Sequence, residues 1–510
     1  MRISEGVIWY GRAPLPGVRD RLVLRGARIV EVQAPRAFVD KELSDAGFVV
    51  LNYANDETIA HLPDAKLIRR FIDHGLHLAI VCPNALKATV IATVLTPVDS
   101  TFSWNDERYV RFIPDFGGVN FDFFIAHRRE TPWHNSTITK TSDFESLTES
   151  EEILLRRAFQ EALEIRLTEV QRGFSGSRVF MAYEKEQRNS VGHWTQPRLV
   201  KIGARGSVVR EVAAMEKVSP FVPFELRPNL LVAIEGTSRA LYTADFVDMS
   251  ETLLKAAREG RAEAALSNFF NRIMRVWRDC AWEYPLSTKS LAQEAEDLKM
   301  FSVDQIKPEY LESQSFVECG YDVNRLWNRL KTIRLPHRVA TIHADLHGDN
   351  VRIRGDDAIL IDLGSLRGTD AVGEGAPICF DVAMLEVALA FQCHGGDGNT
   401  GFNQREWSKE ISDYYELDRI QSASRRDSDR LSSWMHGPLQ RIRAFGIYEQ
   451  SFPYEYAVAL AIGMWRWCKF PVSQLGDVDH GRRVVALKTG ARLIEQIMKR
   501  HSEHHPESLP

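Results

Sequence analysis

The ten residues "TIHADLHGDN", positions 341 to 350, hold two histidines, two aspartates and an asparagine. Within them His343, Asp345 and Asn350 follow the spacing H-x-D-x4-N. Those residue types suit transfer of a group to a hydroxyl. An aspartate accepts or orients the proton of the attacking oxygen, and an amide oxygen a little further on ligates a metal ion. Alone the pattern is weak, because loops also carry Asp and Asn for turn formation. The next segment, "VRIRGDDAILIDLGS", reads as strand, Gly-Asp-Asp turn and strand, and ends in Asp362-Leu363-Gly364. A hairpin sets its two ends side by side, so Asp362 is expected back beside Asp345 and Asn350. Asn350 and Asp362 then form an oxygen-rich pair suited to Mg²⁺ carrying nucleotide phosphates.

Further polar residues upstream fit the same chemistry. "VQRGFSGSRVFMAYEK" reads as strand, glycine loop, strand, with Gly173 and Gly176 flanking Phe174 and Ser175, and Ser177 following. Backbone N–H groups in such a turn can cradle phosphate oxygens, and glycine lets the backbone come close. In "RLVKIGA", Lys201 interrupts an apolar strand, which is costly unless the ammonium meets an anion. The bland alternative is an edge-strand lysine snorkelling to water. "SVVREVAAMEKVSPF" reads as an amphipathic helix carrying Glu211 and Glu216.

"HADLHGDN" followed by "ILIDLGS" resembles the H-G-D-L-H-x-x-N and I-D signatures of the aminoglycoside phosphotransferase and choline kinase family. The resemblance implies a protein-kinase-like fold, ATP and Mg²⁺ as cofactors, and a hydroxyl acceptor. It implies Asp345 as the catalytic residue and Asn350 and Asp362 as metal ligands. It also implies Gly173, Phe174, Ser175, Gly176, Ser177, Lys201 and Glu211 as nucleotide-binding residues. Glu211 is then the partner of Lys201, with Glu216 as the fallback. "LLVAIEGTSRALYTADFV" reads as a hairpin whose end, Asp245 to Asp248, is where main-chain groups would meet an adenine edge. His343 is expected to hold the loop and do no chemistry. Asp349 is expected to be solvated, with a spare metal ligand as the alternative, and Asp381 to steady the loop from a buried helix.

Two features point away from protein kinases and toward the small-molecule or atypical branch. His347 stands where protein kinases generally carry lysine, and only "SLRGTDAVGEGAPICF" separates Gly364 from Asp381, without the glutamate of an A-P-E signature. Trp465 and Trp467 read as packing residues. "VKIG" and "YEYA" resemble ternary-complex-associated kinase-like domains of bacterial signalling and conflict systems, over about residues 165–495. That likeness implies an acceptor that is a signalling partner or signal molecule. Two other readings stay open, a catalytically weak nucleotide-binding sensor and an atypical protein kinase.

The surrounding chain must position these groups. At 510 residues it exceeds one ordinary core, so several domains are expected. With 44% hydrophobic and 26% charged residues it has the composition of a globular protein. A net charge of −5 is small for this length and argues against a generally nucleic-acid-binding surface. The six cysteines, Cys82, Cys280, Cys319, Cys379, Cys393 and Cys468, have no repeated spacing, which suits reduced thiols in a cytoplasmic protein. No run approaches the ~20 apolar residues needed to cross a bilayer. The terminal histidines His501, His504 and His505 read as part of a solvated tail.

Residues 1–135 alternate strand-like runs ("GVIWYG", "ARIVEV", "GFVVLNY", "HLAIVCP") with helical patterns, which implies a parallel sheet. This outline resembles a receiver or flavodoxin-like α/β domain. Asn52 sits where a receiver's phosphate acceptor would be, so the domain is read as a non-phosphorylated interaction module for a protein partner. Residues 136–150 are polar and read as a linker, with "TESEE" capping the next helix. The expectation is therefore an α+β bilobal kinase-like domain, N-lobe 151–247 and helical C-lobe 248–510, behind the small α/β domain.

Overall fold

In the computed structural model the chain is described over residues 6–24, 26–32, 40–53, 63–96, 110–114, 136–141, 145–172, 176–188, 191–220, 222–245, 250–282, 286–368, 375–391, 404–422, 433–471 and 477–504. It divides into two compact units, Met1–Ala213 with Asn229–Val247, and Ala214–Pro228 with Asp248–Pro510.

The first unit contains two sheets. Strands β1 (Gly6–Gly11), β2 (Arg28–Val32), β3 (Ala46–Asn52), β4 (His77–Val81) and β5 (Val110–Ile113) form a wholly parallel sheet in the order β2-β1-β3-β4-β5. Helices α1 (Pro16–Leu24), α2 (Asp40–Asp45), α3 (Ala65–Asp73) and α4 (Asn84–Val90) alternate with the strands. A parallel sheet covered on both faces needs apolar side chains on both, which is why its strands read as unbroken runs. Along β1, Ile8 and Tyr10 enter one core with Val49, Leu51 and Phe71, while Val7 and Trp9 enter a second with Leu22 and Val50. Asn52 ends β3 buried, and its Nδ2 donates to the Arg12 carbonyl at 2.9 Å. A carboxylate has no proton to donate there.

The other sheet runs through β6 (Thr137–Lys140), β7 (Ala162–Arg172), β8 (Arg178–Arg188), β9 (Val191–Trp194), β10 (Arg198–Ala204), β11 (Leu230–Glu235) and β12 (Arg239–Asp245). Its order is β11-β12-β10-β8-β7-β6, with β9 paired to β8. Only the β6–β7 pair is parallel. Two helices belong with it, α5 (Glu149–Ala158) and α6 (Arg205–Val218). The expected linker 136–150 therefore holds a strand, β6, and the first two residues of α5. Thr148 and Glu151 close the capping box that starts α5.

The two sheets are joined within this unit by a buried carboxylate. Asp73, the last residue of α3, is 5% exposed. Its Oδ1 accepts from Thr237 N at 2.7 Å and Thr237 Oγ1 at 3.0 Å, and its Oδ2 accepts from Ser150 Oγ at 3.0 Å. Arg157 of α5 donates to the Asp73 carbonyl at 2.5 Å and to the Glu235 carbonyl at 3.0 Å. Burial pushes the Asp73 carboxyl above its usual range, against the pull of the Thr237 and Ser150 bonds. Gly236 is required in the turn, because a Cβ there would stand 2.7 Å from Asp73 Oδ1.

The second unit is mostly helical. Its strands are β13 (Glu251–Thr252), β14 (Val339–Ala340), β15 (Val351–Arg354), β16 (Asp357–Leu360) and β17 (Ala376–Pro377), and β15 pairs with both β13 and β16. Gly355, at φ +61, and Asp356 make the turn between β15 and β16. Four longer helices carry the core, α7 (Cys379–Phe391), α8 (Ser433–Glu449), α9 (Glu455–Arg466) and α10 (Asp477–His504). Every residue of α7 is buried. Its Glu386 is tied to Arg443 of α8 at 2.5 Å and accepts from the Tyr456 hydroxyl of α9 at 2.7 Å. Helix α10 takes in His501 and His504, and His505 lies outside the described residues. Among the described residues no helix is long and apolar enough to cross a membrane.

Asp73→Ala leaves a buried N–H and two hydroxyls without their acceptor. It is expected to cost about 2–4 kcal/mol, seen as a lower thermal unfolding midpoint of the full chain. An unchanged midpoint would show that the carboxylate does not hold the sheets together.

Candidate active site

The polar groups expected to do chemistry fall into two sets, one in each unit. In the first unit Lys201 sits mid-strand in β10, opposite Val179 of β8 and Tyr242 of β12. It is 9% exposed, and Glu211 of α6 is 2% exposed. Lys201 Nζ lies 2.8 Å from Glu211 Oε2 and donates to Oε1 at 3.0 Å. The Tyr242 hydroxyl donates to the same Oε1 at 2.8 Å. Strand and helix follow each other directly in the chain, so one short segment delivers both charges. Glu216, the other glutamate of this helix, is solvent-exposed.

The glycine loop is only partly described. Gly173, Phe174 and Ser175 lie outside the described residues, as do Phe246, Val247 and Asp248 of the expected adenine-binding segment. Gly176 takes φ +71 with open space around it, a conformation that suits glycine. Ser177 is buried at 3% exposure and packs toward β10. A Cβ on Gly203 would come within 2.5 Å of Ser177 Oγ, which explains the glycine after Lys201 and Ile202.

In the second unit the loop 341–350 is built around Asp381, the third residue of α7 and fully buried. Its Oδ2 accepts from His343 N at 2.6 Å and its Oδ1 from Ala344 N at 2.8 Å. Ala344 has φ +63, a left-handed conformation that costs a non-glycine residue about 1–2 kcal/mol. Those two bonds hold it there. Burial raises the Asp381 carboxyl above its usual range, while His343 and the two N–H groups pull the other way.

His343 is also fully buried. Its Nδ1 accepts from Asp345 N at 3.3 Å, which leaves the ring proton on Nε2 to bond the Ile361 carbonyl at 3.0 Å. Both nitrogens are thus spent on the backbone. Asn350 is 6% exposed, and its Nδ2 donates to the Asp345 carbonyl at 2.9 Å. That bond fixes the amide and turns Oδ1 away as a free acceptor. Ile361 N donates to the Asn350 carbonyl at 3.0 Å, so the returning hairpin brings Asp362 beside Asn350. Asp362 is exposed and left-handed, at φ +56 and ψ +63.

Asp345 itself is held by a residue that the sequence reading missed. Arg466, the last residue of α9, donates through Nη2 to Asp345 Oδ1 at 2.8 Å and to the Ala344 carbonyl at 3.1 Å. Burial raises the Asp345 carboxyl, but Arg466 and His347 outweigh it and bring it down to about 2. Among the described residues Asp345 Oδ2 makes no hydrogen bond. The signal for Arg466 was a cation between two tryptophans in "MWRWCKF". Trp465 is fully buried and donates to the Leu487 carbonyl at 3.1 Å, so it packs as expected. His347 is held below its usual pKa by burial, and its Nδ1 accepts from Asp349 N at 3.3 Å. Asp349 Oδ2 lies 3.8 Å from the same ring nitrogen.

No protein-family model and no curated protein matches this sequence. Similar solved structures include a glucosamine kinase in complex with glucosamine, ADP and inorganic phosphate, at 10% identity and TM-score 0.35, covering 65% of this chain and 92% of that one. An aminoglycoside-3'-phosphotransferase of type VIII has 19% identity and TM-score 0.30, covering 55% of this chain and 93% of that one. A second glucosamine kinase structure, crystal form A, has 11% identity and TM-score 0.28, covering 67% and 89%. Likeness this distant assigns neither a fold family nor an activity.

Asp381→Asn sets an NH₂ against a buried N–H and is expected to destabilise the second unit by about 2–3 kcal/mol, measured by denaturant unfolding. Arg466→Met tests the Asp345 pair through pH. A lowered carboxylate adds stability above its unfolded pKa of about 3.9. That gain is lost as the pH falls through about 2. The stability gap between the parent and Arg466→Met should therefore be full at neutral pH and narrow steadily below about pH 4. A gap constant down to pH 3 would overturn the assignment.

Proposed function

We propose that the protein is an ATP-dependent, Mg²⁺-requiring phosphotransferase that acts on a hydroxyl of a small molecule or signalling partner. The observation that carries this reading is the catalytic-loop geometry. Asp381 fixes the backbone of His343 and Ala344, Asn350 is turned with Oδ1 free, and the hairpin returns Asp362 to Asn350. The buried Lys201–Glu211 pair supports it, since a lysine so held is fixed in one place to meet phosphate oxygens. On this reading the β-rich segment 151–247 is a kinase-like N-lobe and 248–510 a helical C-lobe. The parallel sheet order β2-β1-β3-β4-β5 supports a receiver or flavodoxin-like domain ahead of them, and Asn52 a non-phosphorylated one.

The donor set suits Mg²⁺. Among the described residues no three His, Cys, Asp or Glu side chains cluster to hold a metal, and Mg²⁺ with nucleotide needs only one or two protein oxygens beside phosphate. Asn350 Oδ1 and Asp362 would supply them. When bound, Mg²⁺ neutralises phosphate charge. Lys201 steadies the α and β phosphates, Glu211 keeps Lys201 in place, and the Gly173–Ser177 backbone covers them. The acceptor oxygen bonds to the γ-phosphorus as the bridging P–O bond breaks, and ADP departs with that electron pair. The hydroxyl proton passes to Asp345 Oδ2. A carboxylate near 2 is a weak base, so Asp345 chiefly orients the hydroxyl, which suits a loose transition state.

The Arg466–Asp345 ion pair also favours a second reading, a nucleotide-binding sensor with little turnover, because it engages the acidic group. Purified protein with Mg-ATP separates the two. The transferase reading expects ADP release on addition of a competent acceptor, and a fall of about 10²–10⁴-fold in that rate for Asp345→Asn with ATP still bound. Equal ADP release from the parent and Asp345→Asn would remove Asp345 from the chemistry. A Lys201→Met variant with undiminished ATP affinity would remove Lys201 from the phosphate site.

A further inference from the structure

A cavity of about 290 Å³ lies in the helical unit between α8 and the helix Ala262–Asn268 with its continuation, and shares no residue with the loop 341–350. The two helices touch where Gly437 of α8 meets Glu263. Beyond that contact both walls depart from regular helix. Pro438 inside α8 removes a main-chain donor, and Phe269–Ile273 winds as a π-turn. Turns of this kind are rare and gather at functional sites. Gly446 lets α8 close onto the buried ring of Tyr456 on α9, so the α8 wall is backed by packed structure.

Arg441, Ala444, Phe445 and Tyr448 fall at i, i+3, i+4 and i+7 and line the cavity from one face of α8. Phe270 of the π-turn is buried and stacks on Phe445, with ring centroids 4.1 Å apart and 15° between the planes. Tyr448, 83% exposed, stands on the same lining. The charged groups mark its two ends, since Glu449 lies eight residues (449 − 441), about 12 Å along the helix, from Arg441. Arg443 spends its guanidinium inward, on Glu386 and the Tyr414 carbonyl. Arg441 has no acceptor among the described residues, and the side-chain amide of Asn271 on the facing wall has no partner among them either. Ser267 turns its hydroxyl to the Glu263 carbonyl at 3.0 Å. One guanidinium and one amide, beside stacked rings, are thus left to meet a guest.

We infer that this cavity binds a small aromatic carboxylate, its ring against Phe445 and Tyr448 and its carboxylate on Arg441 and Asn271. A guanidinium takes a carboxylate through two parallel hydrogen bonds, and ring-on-ring contact adds to the burial of apolar surface. One cation answers one negative charge, and Glu449 at the far end would repel a second. The site stands apart from the phosphotransferase reading and does not depend on it.

A matched series tests this: 3-phenylpropionate, 3-phenylpropan-1-ol, 3-phenylpropylamine and propionate, each titrated by calorimetry into the full chain. The expected order places 3-phenylpropionate first, at least about tenfold tighter than the alcohol, with propionate and the amine weaker still. Ala444→Trp fills the cavity from an exposed position and should abolish binding of the aromatic acid. Arg441→Met, also at an exposed position, should bring the acid down to the level of the alcohol. It decides the matter by itself if the tryptophan disturbs the fold, which circular dichroism of each variant reads. No binding of the aromatic acid, equal binding of acid and alcohol, tightest binding of the amine, or propionate matching 3-phenylpropionate would overturn the inference. So would acid binding undiminished in a folded Ala444→Trp variant, since the acid would then sit elsewhere. An acid preference that survives Arg441→Met would do the same.

Discussion

A buried carboxylate that accepts two consecutive backbone N–H groups is the constraint on which the rest of this site depends. Asp381 has no access to water, so its charge is tolerable only because His343 N and Ala344 N point at it. The same bonds force Ala344 into a left-handed conformation that alanine does not choose for itself. Arg466 takes the carbonyl of that residue, so both backbone polar groups of Ala344 are committed. Asp345 follows immediately, and its position is inherited from this clamp. The imidazole of His343 and the amide of Asn350 then fasten the loop to its own backbone and to the hairpin.

The first unit uses the same economy with different parts. Lys201 and Glu211 are both buried, and a pair like this contributes little net stability. Breaking it by removing one partner, however, costs about 3–5 kcal/mol. Tyr242 adds a hydroxyl to the shared oxygen and so fixes which way the carboxylate faces. In each unit rigid secondary structure, not a loop, carries the side chain proposed for the chemistry or the residue that holds it. That arrangement suits a reaction governed by positioning and charge neutralisation.

How much of this the sequence disclosed depended on how far apart the interacting residues lie along it. The hairpin was legible because Gly355 and Asp356 turn between two apolar runs. The Lys201–Glu211 pair was legible because strand and helix are adjacent. The parallel sheet showed itself through runs such as "GVIWYG", whose neighbours on both faces are apolar. Arg466 reaches Asp345 from 121 residues away, and nothing local marks that contact. Asp73 and Thr237 are 164 residues apart, and Glu386 meets Arg443 across 57. Strand β6 was read as linker because "TITK" is a short, half-exposed edge strand with no buried face to impose alternation.

The join at Asp73 has a mechanical corollary. Its Oδ1 accepts from the turn that opens β12, and further along that strand the Tyr242 hydroxyl donates to the glutamate beside Lys201. Helix α3 and the glutamate that holds Lys201 are therefore linked through one strand, each by a buried hydrogen bond. A displacement of that helix is passed along β12 toward the lysine's anchor.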